Sequence, residues 1–224
     1  MTKNDNLLNN VEPNQKSIHK KSYFLYNGTY YFIYILGGNF MKLTICELSY
    51  LNELITSCVN TITCMSLFRN QVTDEELKSL LNNHFPIHVE DYNRKVEFVK
   101  NVDTASGKLN VPQLNTSIFT EDVNETKPTE PITVNTNVTK LTDREIALSY
   151  FLTLKRAGKE YAIASMEVTN PNLRQFLKDA YTMSCNHSFE IYEWMAKNNY
   201  YPIIVTTAEQ TGNIASIYNT IPLN

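Results

Sequence analysis

The sequence predicts an all-α protein: a four-helix bundle made from two helical hairpins with a long crossover connection between them. Three observations carry that prediction. Residues 43–100 and 141–202 echo each other: both open on Leu-Thr-x-x-Glu (Leu43, Thr44, Glu47; Leu141, Thr142, Glu145), and both place Val-Thr at a turn (Val72, Thr73; Val168, Thr169). Leu77, Leu81 and Phe98 recur as Leu173, Leu177 and Trp194 at an offset of 96 residues, whereas the helix starts align at 98, so the first hairpin loop is expected to be longer by two. Between the repeats, residues 101–140 are rich in Thr and Asn, include Pro112, Pro128 and Pro131, and keep no helical period. Such a connector exceeds a hairpin loop and suits a crossover along a bundle.

Residues 1–40 stand apart from this pattern. Asn, Lys, Phe, Tyr and Ile dominate them, as A/T-rich codons would, and Gly37-Gly38-Asn39-Phe40 precede Met41 as an in-frame ribosome-binding site would. Translation is therefore expected to start at Met41, which intact-mass measurement of the native protein tests. Read literally, SYFLYNGTYYFIYILGG is an Asn-Gly hairpin, and it falls short of the ~20 apolar residues of a membrane helix. The polar stretch before it is not expected to act as a secretory signal.

The first hairpin spans 44–100. Helix 1 (about 47–69) shows Leu48, Leu51, Ile55, Cys58, Ile62 and Met65 at three- and four-residue steps. Helix 2 (about 74–100) is expected to face inward through Leu77, Leu81, Phe85, Tyr92, Val96 and Val99, with Pro86 interrupting and kinking it near Asn83. In the crossover 101–140, Leu114, Ile118 and Phe119 are the expected anchors. The second hairpin spans 142–198. Helix 3 carries Tyr150, Leu154, Ala157, Tyr161, Ala164 and Val168 on one stripe. Helix 4 carries a heptad seam of Leu173, Leu177, Ala180, Ser184, His187, Ile191 and Trp194. Residues 203–224 read as a polar C-terminal tail, flexible or laid along the surface.

Composition narrows the function. A net charge of −3, with charged residues at only 19%, gives no electrostatic basis for binding nucleic acid. Cys46, Cys58, Cys64 and Cys185 form no Cys-x-x-Cys pair, and they are expected to be reduced, buried thiols. Gly-rich phosphate loops and Gly-x-Ser-x-Gly are absent from the sequence.

A bundle of this topology raises the question of a di-metal centre, which needs a Glu from each of two helices and Glu-x-x-His from each of the others. Glu47 and Glu145 have another explanation. Thr44–Glu47 and Thr142–Glu145 are capping boxes in helix first turns, and Thr73-Asp74-Glu75-Glu76 repeats the pattern. Asn170 caps helix 4 and Pro171 takes its first position. Glu-x-x-His is missing; His187-Ser188-Phe189-Glu190 and His88-Val89-Glu90-Asp91 run in the reverse order. His187 lies on the seam beside Ser184 and reads as a hydrogen-bonded core histidine. His84, His88 and Asp91 step by four and three on one face. They read as a solvated polar face, or as two imidazoles and a carboxylate around a divalent metal. No residue is assigned as catalytic, cofactor-binding or metal-ligating.

Leu141-Thr142-Asp143-Arg144-Glu145-Ile146, Asn170-Pro171-Asn172-Leu173-Arg174, Glu193-Trp194-Met195 and Tyr200-Tyr201-Pro202 together resemble the coat F domain of bacterial spore coat proteins. The first hairpin, with Glu47-Leu48 and Asp74-Glu75-Glu76-Leu77-Lys78, resembles the partner half in clostridial members. The resemblance covers residues 41–202. It implies a ferritin-like bundle made in the mother cell during sporulation and deposited in the spore coat. It implies no enzyme activity and no cofactor; the implied partners are other coat proteins and further copies of the chain. Tyr23, Tyr26, Tyr30, Tyr31, Tyr34, Tyr200, Tyr201 and Tyr218 offer oxidative cross-linking sites, or simply reflect codon bias. The alternatives to a self-associating structural protein are a ferritin-like metal or redox protein using His84, His88, Asp91 or His187, and a helical adaptor.

Overall fold

The computed structural model describes residues 42–114 and 132–223, and the backbone of 20–26 and 29–35. The chain divides into two compact units, Met1–Lys42 and Leu43–Asn224. In the first, β1 (Lys20–Tyr26) and β2 (Thr29–Ile35) pair antiparallel with Tyr26 opposite Thr29, the hairpin expected from the sequence. Asn27-Gly28 and the remainder of 1–41 lie outside the described residues.

The second unit is helical: α1 (Ile45–Gln71), α2 (Glu75–Lys100), α3 (Asp143–Glu167), α4 (Pro171–Lys197) and a short α5 (Ala208–Ala215). Both turns contain three residues, Val72–Asp74 and Val168–Asn170, so the first loop is not longer. The extra two residues sit inside α1, which has 27 against 25 in α3.

Contacts at the helix ends fix the topology. The Trp194 indole donates to Asp74 Oδ1 at 3.0 Å, and Phe98 packs on Phe176, so α2 and α4 are antiparallel. Leu141 N–H donates to Gln71 Oε1 at 3.3 Å, and Asn170 N–H donates to Glu47 Oε1 at 2.8 Å, so α1 and α3 are antiparallel. The helices run up, down, down, up. That order requires a connection the length of the bundle, the ferritin-like arrangement.

Each helix buries a four-three repeat. In α1 it is Glu47, Leu51, Leu54, Cys58, Thr61, Met65 and Phe68; in α2 it is Leu77, Leu81, His84, His88, Asp91, Lys95 and Phe98. The expected α2 face was thus wrong in phase beyond Leu81: Phe85, Tyr92 and Val96 are half-buried and Val99 is exposed. The expected α1 stripe erred likewise at Leu48, which is exposed, and at Ile55 and Ile62, which are half-buried. Hydropathy alone ranks phenylalanine and valine above histidine and lysine. Partners on three neighbouring helices reverse that ranking. The α4 seam is buried throughout as expected, and α3 buries its stripe except at half-buried Ala157.

α2 continues through Pro86, which lies on the exposed face where a missing N–H is tolerated more easily. Two apolar clusters close the bundle ends, one around Leu51, Phe98, Phe176 and Leu177, the other around Leu77, Leu81, Ile146 and Trp194. Each fully buried Leu or Phe contributes about 1.5–3 kcal/mol.

In its described residues 101–114 the crossover leaves α2 and follows α4. Val102, Ala105 and Leu109 are its buried anchors; Leu114 is half-buried, and Ile118 and Phe119 lie outside the described residues. Leu109 N–H donates to Asp179 at 3.1 Å, and Asn186 donates to the Pro112 carbonyl at 3.1 Å. The tail is not featureless: Thr207 and Gln210 form a capping box that starts α5, all of it exposed. Among the cysteines only Cys58 is buried, while Cys46 and Cys185 are exposed and Cys64 is intermediate. Among the described residues no helix is long and apolar enough to cross a membrane.

Candidate functional site

Between the two apolar clusters lies a buried polar layer. Its centre is Lys95, whose side chain is 0% exposed. An ammonium group has three protons to place. Lys95 gives them to Asp91 Oδ2 at 2.5 Å, Tyr161 OH at 2.9 Å and Cys58 Sγ at 3.1 Å. The Cys58 thiol and the Tyr161 hydroxyl then donate to the same Asp91 oxygen, at 3.0 and 2.8 Å. Every proton in this ring has an acceptor, contributed by α1, α2 and α3.

The electrostatics follow from burial and charge. Burial works to raise the Asp91 pKa, but the adjacent Lys95 ammonium and bonds from Cys58 and Tyr161 outweigh it and hold the carboxyl below its ordinary range. Burial, with the Asp91 charge, pushes the Cys58 thiol up to about 12. Tyr161 is raised well above its ordinary value for the same two reasons.

A second chain of bonds lies one to two turns away. His84 Nε2 meets Glu190 Oε2 at 2.6 Å, Tyr150 OH meets His84 Nδ1 at 3.2 Å, and His88 Nε2 meets Tyr150 OH at 2.8 Å. A carboxylate only accepts, so His84 Nε2 donates to Glu190. The Tyr150 hydroxyl bridges the His84 and His88 rings. These bonds link buried His88, through Tyr150 and His84, to Glu190 at the rim. Burial pushes His88 down to about 4, against the pull of Asp91. His187 stacks on His84 at 3.7 Å between ring centres. It is also pushed down, by burial and by the two neighbouring histidines. This layer opens on a cavity of about 410 Å³ between α2 and α4, lined by His84, His187, Glu190, Glu193 and Lys197 among others.

The glutamates do what their capping sequences predict. Glu47 and Glu145 each close a capping box with Thr44 and Thr142. Glu47 does more: its Oε1 accepts from Thr169 N–H and hydroxyl and from Asn170 N–H, at 2.8, 3.0 and 2.8 Å. Burial would raise its pKa, but these bonds and that from Thr44 hold it down at about 2. At α2 the cap is Asp74, not Thr73; Thr73 is turned to Asp143. Asn170 and Pro171 start α4 as expected.

His84, His88 and Asp91 are not a solvated face. Their exposures are 3%, 4% and 0%, and each meets residues of other helices. A pair of metal ions would need several carboxylates at mid-bundle. Here Asp91 is bound by a lysine, and the facing residues are Tyr150, Tyr161, Cys58 and Ser184. That donor set does not fit the di-metal centre of ferritin-like bundles. Among the described residues no three His, Cys, Asp or Glu side chains are placed to share an ion. His187 is a core histidine, as read from its seam position; Ser184 is beside it on the seam, and neither Ser184 Oγ nor His187 Nδ1 has a hydrogen-bond partner among the described residues. Lys95 escaped the sequence reading; Tyr150 and Tyr161 entered it only as members of the α3 stripe, and Glu190 only in the reversed His187–Glu190 motif. For Lys95 the signal is the unbroken four-three step from Leu77 to Phe98 on α2; for Tyr150 and Tyr161 it is their place on the α3 stripe.

Residues 142–203, the α3–α4 hairpin, match the Coat F domain family. A solved structure of a candidate spore coat protein from Bacillus halodurans C-125 superposes with a TM-score of 0.54 at 12% identity, covering 75% of this chain and 97% of that one. At that identity the likeness is one of fold. No curated protein matches the chain.

Proposed function

We propose that this chain, which carries a Coat F domain at residues 142–203, is a structural, non-catalytic, self-associating component of the bacterial spore coat. The carrying observation is the coincidence of that domain with one complete helical hairpin, α3–α4, paired to a second hairpin built on the same plan. The coat placement, with synthesis in the mother cell, rests on the family.

The centre of the bundle supports a structural role. Its charged and polar groups bind one another across α1, α2 and α3 and leave the Lys95 ammonium fully engaged. Such a network supports a single helix register. Self-association and docking on other coat proteins are supported by the outer helix faces. Leu148, Leu152, Ile163 and Met166 are exposed on one side of α3, and Ile45, Leu48, Val59 and Leu67 on one side of α1. Apolar stripes of this kind favour association.

A fluorescent fusion followed through sporulation tests the assignment. The expected result is a shell around the forespore and recovery in the purified coat fraction. Even distribution in vegetative cells would overturn it. Sedimentation of the purified protein tests self-association separately.

A further inference from the structure

We propose that Cys58 and Lys95 are partners in a covalent Sγ–O–Nζ cross-link, formed when a peroxide oxidises the buried thiol. Cys58 Sγ and Lys95 Nζ are 3.1 Å apart, on α1 and α2, and both side chains are sealed in the core. One bridging oxygen spans that gap with little movement of either helix. The site already hands protons to one acceptor: the thiol donates to Asp91 at 3.0 Å, and the ammonium donates to the same oxygen. Asp91 can therefore take the ammonium proton and free the nitrogen lone pair.

The choice of side chain points the same way. Position 58 must donate to Asp91 and accept from Lys95. A serine hydroxyl would do both more strongly, because a thiol is a weak donor and a weak acceptor. What sulfur adds is oxidation chemistry. Burial keeps the thiol protonated and slows its attack on a peroxide. Fixed placement of the amine acts in the opposite direction once sulfur is oxidised.

The steps balance. The thiol takes one oxygen from a first peroxide; the S–O bond forms, the O–O bond breaks and water leaves, giving a sulfenic acid. The Lys95 amine then bonds that oxygen. The two hydrogens and two electrons released reduce a second peroxide to two waters. One thiol, one amine and two peroxides give one Sγ–O–Nζ link and three waters. The link joins α1 to α2 through the middle of the bundle, and this inference does not depend on the coat assignment.

The test is peptide mass mapping of the full chain after hydrogen peroxide treatment without reductant. The expected product joins the peptides containing Cys58 and Lys95, about 14 Da heavier than their sum, for one oxygen gained and two hydrogens lost. Dithiothreitol should restore the separate peptides. The urea midpoint should rise on oxidation and return on reduction, and Cys58→Ser should show neither change while keeping its helical circular dichroism. Recovery of Cys58 as a free thiol, as a sulfinic acid with Lys95 unlinked, or in a link about 2 Da lighter than the sum (a direct S–N bond) would overturn the proposal.

Discussion

Glu47 and Asp143 lie 96 residues apart and perform the same task at opposite ends of the bundle. Glu47 accepts from the N–H and hydroxyl of Thr169 and from Asn170 N–H. Asp143 accepts from the N–H and hydroxyl of Thr73 and from Asp74 N–H, at 2.8, 2.6 and 3.0 Å. Each hairpin thus uses a carboxylate at the start of its first helix to clamp the other hairpin's turn. In the first hairpin one residue both caps and clamps. In the second, two residues earlier in the helix than Glu145, Asp143 clamps while Glu145 caps.

Glu47→Gln and Asp143→Asn should each destabilise the bundle by about 1–3 kcal/mol, because an amide replaces one acceptor oxygen with a donor facing backbone N–H groups. The two sites share no partner, so the double variant should lose about the sum. Urea unfolding followed by circular dichroism checks both statements.

Acid should weaken the fold in two stages. His88 titrates at about 4 in the folded protein and 6.5 when free, so the unfolded chain binds its proton first. Its contribution is complete above 6.5 and is lost as pH falls towards 4, on the order of 3 kcal/mol in all. His187 shifts in the same direction and adds to this stage. Glu47, at about 2 against 4.5, contributes fully above 4.5 and loses that contribution as pH falls through 2. The urea midpoint measured from pH 8 to pH 3 should therefore drop first below about 6.5 and steepen below about 4.5, with the second stage reduced in Glu47→Gln.

Lys95→Met should cost about 3–5 kcal/mol, since it leaves Asp91 charged and buried beside only neutral donors. Asp91→Asn should also destabilise, by stranding the Lys95 ammonium. Combining the two should cost clearly less than the sum, a coupling that a double-mutant cycle in urea would measure. Full additivity would mean that the pair is not held as described.

Gly107→Ala should loosen the crossover. A Cβ there would stand 2.7 Å from the Asn172 carbonyl oxygen, and that neighbour is backbone that cannot swing away. The expected loss is about 1–3 kcal/mol. Hydrogen exchange should show faster opening at Leu109, whose N–H bonds to Asp179, and little change at α1.

Much of the architecture was written locally. Capping boxes at Thr44 and Thr142, the Asn170-Pro171 start and the α4 seam depend on residues within a turn or two of each other, so one chain segment is enough to read them. The 96-residue offset even held the correct α2 phase: it sets His84, His88, Asp91 and Lys95 against Ala180, Ser184, His187 and Ile191, all on the buried seam. Hydropathy argued otherwise, because an isolated helix gives no reason to bury a lysine.

The sequence by itself determined four amphipathic helices, their ends, their pairing into hairpins and the family resemblance. Tertiary structure alone decided which groups meet at the centre. Lys95 is buried because Asp91, Cys58 and Tyr161 converge on it from three helices, and His84 because Glu190 and Tyr150 bond its two ring nitrogens. Asp91 lies one turn away on the same helix, but the cost of burying this pair is offset only because Cys58 and Tyr161 reach it from distant parts of the chain. That convergence turns an apparently solvated polar face into the middle of the core.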